Sequence, residues 1–171
     1  MHFAMLAVYA AYIIASDATH LITPILVYQR WLATALLLSI VALAWYLSRA
    51  PKKPANYYRL LMYLIILADI TFATFNVYTQ RGMAARAVML YTLPIIISAL
   101  LLSRVAILLT ATICTASYAL AAVKYFVDFF NEGYKAELYI EVAFYIACFY
   151  ILSAVLGIII RFKTAESELG L

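Results

Sequence analysis

The sequence predicts an all-α polytopic membrane protein, a bundle of six transmembrane helices with both termini in the cytoplasm. Of its 171 residues, 68% are hydrophobic and 12% are charged, whereas an ordinary soluble domain is about 45–50% apolar and about 25% charged. The mean hydropathy is +1.01. A single core of this size cannot bury so much apolar surface, so lipid must be the solvent. Six spans of about 20 residues each fit the length and leave room for short links.

The first apolar segment is interpreted as a retained helix over residues 2–23. Its apolar character fades through Ser16, Asp17 and His20, and Pro24 marks a turn. A cleaved signal peptide is the competing interpretation. The first residues carry no Lys or Arg, which disfavours a signal peptide.

Five further apolar segments follow, separated by short polar links. Trp31 near one end of the second segment and Trp45 near the other are typical of residues at the two membrane interfaces. Two prolines and four basic residues make 49–59 a loop, and 128–137 is an acidic, aromatic loop. The predicted helices cover residues 2–23, 25–47, 60–79, 87–102, 105–127 and 138–160, and the tail covers 161–171.

The distribution of Lys and Arg predicts the orientation, because short cytoplasmic loops carry the excess of positive charge. If successive links lie on alternating sides of the membrane, three of them share one face. Its basic residues are Arg49, Lys52, Lys53, Arg59, Arg104, Arg161 and Lys163. The opposite face has the other five basic residues and most of the acidic ones. Both termini are therefore expected in the cytoplasm.

Asp69 is the carboxylate predicted to lie at the bilayer midplane. It falls nine residues into the third helix and shares one helix face with Asn76, while Ser98 reaches a similar depth from the outer side. An unpaired polar group in lipid costs several kcal/mol, so Asp69 should point inward, towards hydroxyl groups of neighbouring helices. Two interpretations stay open: a ligand, proton or cation site or switch, and a structural hydrogen-bond anchor.

A second set of candidates lies at the outer boundary. Lys124 ends the fifth helix and Glu141 begins the sixth, so an ion pair across that hairpin is geometrically reasonable. His20 and Arg30 flank the first hairpin. These charges form either an outer gate or sensor, with His20 as the titrating group, or a set of interfacial charges that snorkel to water.

Several classes of function are excluded by what the sequence lacks. No room remains for a soluble catalytic domain, so no enzyme activity is expected. The two histidines lie eighteen residues apart and no Cys/His cluster exists, so no metal or haem is expected. No phosphate-binding glycine loop and no basic stripe occur, which argues against nucleotide cofactors and nucleic-acid partners.

Residues 67–104, "LADITFATFNVYTQRGMAARAVMLYTLPIIISALLLSR", resemble part of the N-terminal multi-helix membrane region of bacterial sensor histidine kinases. An apolar helix with an Asp, a short Gly-containing link, an "LY" helix and a tight basic turn are similar to that family. The matching residues are Asp69, Gly82, Leu90, Tyr91, Pro94, Ala99 and Arg104. "YQRW" (28–31) and the tail "RFKTAESEL" also look like that group.

The resemblance implies a sensory input module of the bacterial cytoplasmic membrane. A small apolar or quinone-like ligand, or the state of the lipid bilayer, would bias the helices. The sixth helix would pass the change to a cytoplasmic partner or a homodimer through the tail near Arg161. The link 80–86 departs from the Gly-Gly and Ser-Pro pattern of the family, and no kinase core follows. The chain is then a detached input domain or a stand-alone relative.

Two alternatives to a sensor stay open at this point. A small transporter or channel would use Asp69 as its midplane ion site, with Lys124 and Glu141 at the mouth. A membrane scaffold or assembly subunit would need no ligand at all.

Overall fold

The described part of the protein is helical and contains no strand. The computed structural model describes residues 2–19, 23–49, 53–80, 86–101, 103–130 and 136–169, and side chains for all of these except 130, 136–138 and 163–169. Within these residues, four helices are long and apolar enough to cross a membrane: Pro24–Ser48, Ala55–Thr79, Arg104–Phe129 and Tyr139–Phe162. The prediction of an apolar, all-helical protein of membrane type is confirmed at this level.

The chain divides into two compact units, Met1–Leu61 and Met62–Leu171. In the first unit, α1 (His2–Ala18) packs against α2 (Pro24–Ser48). Proline suits the first helical position of α2, where no backbone donor is needed. The buried residues of α2 recur every three or four positions and therefore lie on one face. They are Arg30, Thr34, Leu37, Val41 and Ala44.

Helix α3 (Ala55–Thr79) begins in the first unit and continues into the second. It starts immediately after Pro54, five residues earlier than predicted, because "ANYYR" after the proline contains no helix breaker. Helix α1 ends at Ala18 rather than at residue 23. The termini of these two helices thus differ from the sequence-based boundaries, while their apolar centres agree.

The second unit is built around its shortest α-helix, α4 (Thr92–Ser98), which is flanked by 3₁₀ helices over Arg86–Tyr91 and Ala99–Leu101. Helix α4 packs against both α5 (Arg104–Phe130) and α6 (Ala136–Leu169). Large side chains of α3, α4, α5 and the first 3₁₀ helix are fully buried. They include Tyr91, Tyr118, Ile95, Ile107 and Val77. The core of this unit therefore lies between α4 and its neighbours.

The fourth apolar segment is not the regular helix that the sequence predicted. Pro94 lacks a backbone donor, so Leu90 cannot receive an α-helical hydrogen bond from it, and the chain is 3₁₀-helical before Thr92. The 3₁₀ form rises about 2.0 Å per residue, and the α form about 1.5 Å. The sixteen residues Arg86–Leu101 consequently reach about 28 Å, close to the hydrocarbon thickness of a bilayer, about 30 Å.

Helix α6 is the longest in the structure, at 34 residues. It continues nine residues beyond the predicted end at residue 160. The sequence "RFKTAESEL" that follows Ile160 contains no glycine or proline and several strong helix formers, so nothing local stops the helix before Leu169. An apolar segment ending at Phe162 and a polar extension thus form one continuous helix.

Candidate functional site

A groove of about 510 Å³ runs along the surface of the second unit between α3 and α5. Its lining residues recur at helical spacing on one face of each helix, so both walls are continuous. From α3 they are Leu67, Ile70, Thr71, Thr74, Phe75 and Tyr78, and from α5 they are Ile113, Ser117, Leu120, Ala121 and Lys124. Leu67 is 58% exposed and Leu120 is 71% exposed. The groove is therefore apolar and open along its side.

One end of the groove is polar, and we call Tyr78, Lys124 and Asp128 the polar rim. The Tyr78 hydroxyl donates a 2.8 Å hydrogen bond to Oδ2 of Asp128. Nζ of Lys124 lies 2.9 Å from the same oxygen and 6.0 Å from the centre of the Tyr78 ring. The ring of Tyr78 is also tilted against the ring of Phe129, with 6.3 Å between the ring centres, which holds the phenol against α5. The rim thus joins α3 to α5 by a charge-assisted network.

The two threonine hydroxyl groups of the groove walls are already bonded to their own helix. Thr71 donates to the Leu67 carbonyl oxygen at 2.9 Å. Thr74 donates to the Ile70 carbonyl oxygen at 2.7 Å. Within the described ranges the hydroxyl of Ser117 has no such partner. Ser117 is therefore the wall residue with an unused hydroxyl.

Thr74 connects the groove to the buried core. Its hydroxyl shares a 2.8 Å hydrogen bond with the hydroxyl of Tyr91, which is fully buried. The Tyr91 ring lies 5.8 Å from the ring of Phe149 on α6 and 6.2 Å from that of Tyr118 on α5. Tyr118 in turn contacts Tyr145 of α6 at 5.5 Å. A groove residue and α6 are thus linked through Tyr91.

The midplane residues predicted from the sequence lie inside the second unit but away from the groove. Asp69 is 2% exposed and Asn76 is fully buried, so the predicted inward orientation of both is observed. They share a helix face that points away from the groove residues of α3. Nδ2 of Asn76 donates to the Phe72 carbonyl oxygen at 2.8 Å, and Ser98, also buried, donates to the Ile95 carbonyl oxygen at 2.6 Å. Their functional role stays a prediction.

The expected ion pair between Lys124 and Glu141 is not formed. Lys124 pairs instead with Asp128, because residues four apart on one helix face each other directly. Glu141 is half-buried on α6 and lies within electrostatic range of Tyr118. The sequence had assigned Asp128 to a loop, whereas α5 continues through Phe130. Lys124 is thus the predicted outer charge that the structure brings to the groove.

Arg30, another of the predicted outer charges, does not line the groove. Arg30 belongs to the first unit and is only 3% exposed, so it does not snorkel as a solvated charge would. Its Nε and Nη1 atoms have no hydrogen-bond partner among the described residues. His20 lies outside the described residues.

Tyr78, Asp128 and Tyr91 are the site residues that sequence reasoning missed. The spacing of Lys124 and Asp128 was an available signal for their pairing. The contact of Tyr78 with Asp128 joins residues fifty positions apart, and nothing local indicates it. No group of three or more His, Cys, Asp or Glu residues that could hold a metal ion occurs in the part of the chain that the structure describes.

Comparisons with known proteins add no further constraint. No protein-family model matches the chain, and neither the curated proteins nor the solved structures contain a match.

Proposed function

We propose that this chain is a membrane-embedded sensory input module in which occupancy of the α3–α5 groove biases helix α6. The observation that carries the proposal is the path from Thr74 in the groove wall, through the Tyr91 hydroxyl at 2.8 Å, to Phe149 on α6. A ligand that displaces Thr74 alters the hydrogen bond that holds Tyr91. Tyr91 is fully buried, so a change in its position must be accommodated by the rings packed on it.

The form of α6 supports its role as the output element. It is one uninterrupted helix from Ala136 to Leu169, and its apolar part ends at Phe162. A helix transmits axial or rotational displacement along its length because its backbone hydrogen bonds keep it stiff. The polar extension would carry that displacement to a cytoplasmic partner or to a second copy of the chain.

The proposed topology has six membrane spans and both termini in the cytoplasm of a bacterium. Four helices have the length and composition of spans. The remaining two are α1, whose 17 residues equal the shortest usual span of about 17 residues, and the segment Arg86–Leu101, which is lengthened by its 3₁₀ turns. The distribution of Lys and Arg supports the orientation.

The buried polar face of α3 fits an anchoring role within this proposal. The side-chain amide of Asn76 is occupied by a carbonyl oxygen of its own helix. Asp69 lies on the same helix face as Asn76. It is close enough to Cys114 on α5 to interact with it electrostatically. We propose that Asp69 and Asn76 specify how α3 packs, and that the groove, on a different face, receives the ligand. The lateral opening of the groove to lipid favours this arrangement over a transporter with a midplane ion site.

The test of the proposal is a chimera in which the full chain is joined in helical register to a reporter kinase. Kinase output is measured in bilayers of different lipid composition. Tyr91→Phe removes the hydroxyl that bonds Thr74 and is expected to abolish the dependence of output on composition. Tyr150→Phe is the matched control, because the Tyr150 hydroxyl likewise bonds a threonine hydroxyl, that of Thr112 on α5 at 3.1 Å, but in an exposed position.

The two variants give a clear contrast. The control is expected to retain the composition dependence of the unmodified chimera. Equal behaviour of Tyr91→Phe and Tyr150→Phe, both responding like the unmodified chain, would remove the Tyr91 path from the mechanism.

A further inference from the structure

We propose that the α3–α5 groove binds one aminophospholipid, a phosphatidylethanolamine of the leaflet at the Lys124 end, with an acyl chain along the groove and the headgroup at the polar rim. This inference rests on the proposed function, since it names the ligand class of the same site. It goes beyond that function because it assigns a headgroup chemistry to particular atoms.

The length of the groove is close to the hydrocarbon thickness of one leaflet. Its walls extend over twelve residues on each helix, from Leu67 to Tyr78 and from Ile113 to Lys124, which is about 17 Å along a helix axis. Half of the hydrocarbon core is about 15 Å. A groove with its polar end near the ends of α3 and α5 therefore reaches inward to about the bilayer midplane. An acyl chain of a single leaflet has this extent and this polarity.

The walls of the groove suit a chain that enters from the side. They are largely aliphatic, and the exposed side chains of Leu67 and Leu120 form its edges. The volume of about 510 Å³ falls within the range of about 300–1,000 Å³ that is usual for sites of small lipophilic molecules. A lateral opening needs no passage through water, so a lipid can exchange directly with the bilayer.

The polar rim offers one positive and one negative group with unused hydrogen-bonding capacity. The Lys124 ammonium has three donors, one of which is directed to Asp128, and its side chain is 67% exposed. Both bonds that Asp128 accepts, from Tyr78 and from Lys124, end on Oδ2. Among the described residues Oδ1 of Asp128 has no partner. Two donors of Lys124, which lines the groove, and one acceptor of Asp128, which is bonded to it, thus lie at the same end of the groove.

This arrangement matches a zwitterionic headgroup with a primary ammonium. Lys124 can donate to a phosphate oxygen, and the free carboxylate oxygen of Asp128 can accept from the ammonium group. A quaternary choline has no N–H donor for Asp128, and an acidic glycerol headgroup has no cation to offset the carboxylate.

The test measures lipid retention by the purified full chain. The chain is delipidated in detergent and then exposed separately to phosphatidylethanolamine, phosphatidylcholine and phosphatidylglycerol with identical acyl chains. Retained lipid is counted by native mass spectrometry. We expect phosphatidylethanolamine to be retained about tenfold better than the other two, as the gain of one charge-assisted hydrogen bond would produce. Equal retention of the three lipids, or preference for either of the others, overturns the proposal.

Substitutions at the polar rim and in the groove wall test headgroup recognition and acyl-chain binding separately. Asp128→Asn and Lys124→Met should each remove the preference among headgroups. Leu120→Trp should block the groove and abolish retention of all three lipids. Leu109→Trp is its matched control, because Leu109 is an equally apolar α5 residue, 57% exposed, that does not line the groove. Circular dichroism and gel filtration exclude variants that do not fold. Unchanged retention in Leu120→Trp also overturns the proposal.

The proposed lipid site and the proposed sensory function can be contradicted by different results. Selective retention of phosphatidylethanolamine together with a reporter output that ignores this lipid would contradict the sensory function and leave the lipid site in place. Absence of selective retention, with a reporter output that still depends on Tyr91, would contradict the lipid site alone.

Discussion

At the scale of single residues, the second unit uses its polar side chains in two distinct ways. Asn76 and Ser98 are buried, and each donates a hydrogen bond to a carbonyl oxygen of its own helix. Tyr91 and Tyr78 instead bond side chains on other elements. Tyrosine suits this purpose in a membrane protein because its ring packs with apolar groups while its hydroxyl reaches a partner. The tyrosine hydroxyls therefore hold the helices around the groove.

The bond between Tyr91 and Thr74 should be measurable as a coupling energy. Tyr91→Phe is expected to lower the free energy of unfolding by about 0.5–1.5 kcal/mol, the usual net value of a buried hydrogen bond. A double-mutant cycle with Thr74→Val should give a coupling of the same size. Unfolding in mixed micelles is the measurement. Strict additivity of the two substitutions would mean that this hydrogen bond contributes nothing.

For Arg30, we expect a substitution to raise the free energy of unfolding rather than lower it. Its buried guanidinium has two nitrogen atoms without partners among the described residues, and a buried unpaired charge is destabilising. Arg30→Met should therefore raise the free energy of unfolding, by about 1 kcal/mol or more. Arg49→Met is the control: Arg49 is exposed and lies 3.6 Å from the centre of the Trp45 ring, so its loss should cost about 0.5–1 kcal/mol. A stability loss in both variants would contradict this explanation of Arg30.

At the scale of elements, the apolar pattern predicts the helices better than it predicts their ends. Residue composition locates the apolar centres, because lipid tolerates few polar groups anywhere along a span. It does not locate the groove, because a groove depends on which helix faces become neighbours. The bond between Tyr78 and Asp128 crosses fifty positions of sequence. Asp69 could be placed inside from its charge alone, whereas the burial of Tyr91 follows from the packing of α4 against α5 and α6.

Pro94 should control the length of the fourth segment. Pro94→Ala restores a donor for the Leu90 carbonyl oxygen, so the 3₁₀ turn Arg86–Tyr91 is expected to become α-helical. The segment then shortens by about 3 Å, because each residue rises about 0.5 Å less. Spin labels at Arg86 and Leu100, both exposed, report this distance. A distance that does not change, or that lengthens, would contradict the role given to the proline.

At the scale of the whole molecule, the proposed topology makes a prediction about two links. If the segment Arg86–Leu101 spans the membrane, Gln80 and Ser103 lie on opposite sides. Single cysteines at these positions, with Cys114 and Cys148 replaced by alanine, can be labelled with an impermeant maleimide in sealed vesicles. One position should react from outside and the other only after lysis. Labelling of both from one side would reduce the number of spans and contradict the six-span topology.

In the proposed mechanism, occupancy of the groove changes the position of α6. The most direct measurement uses spin labels at Leu64 on α3 and Ile159 on α6, both exposed and both in the second unit. Leu120→Trp fills the groove without a ligand, and Leu109→Trp adds the same ring elsewhere on α5. We expect Leu120→Trp to shift the distance distribution, Leu109→Trp to leave it unchanged, and the addition of Tyr91→Phe to abolish the shift. Identical distributions in all of these chains would contradict the claim.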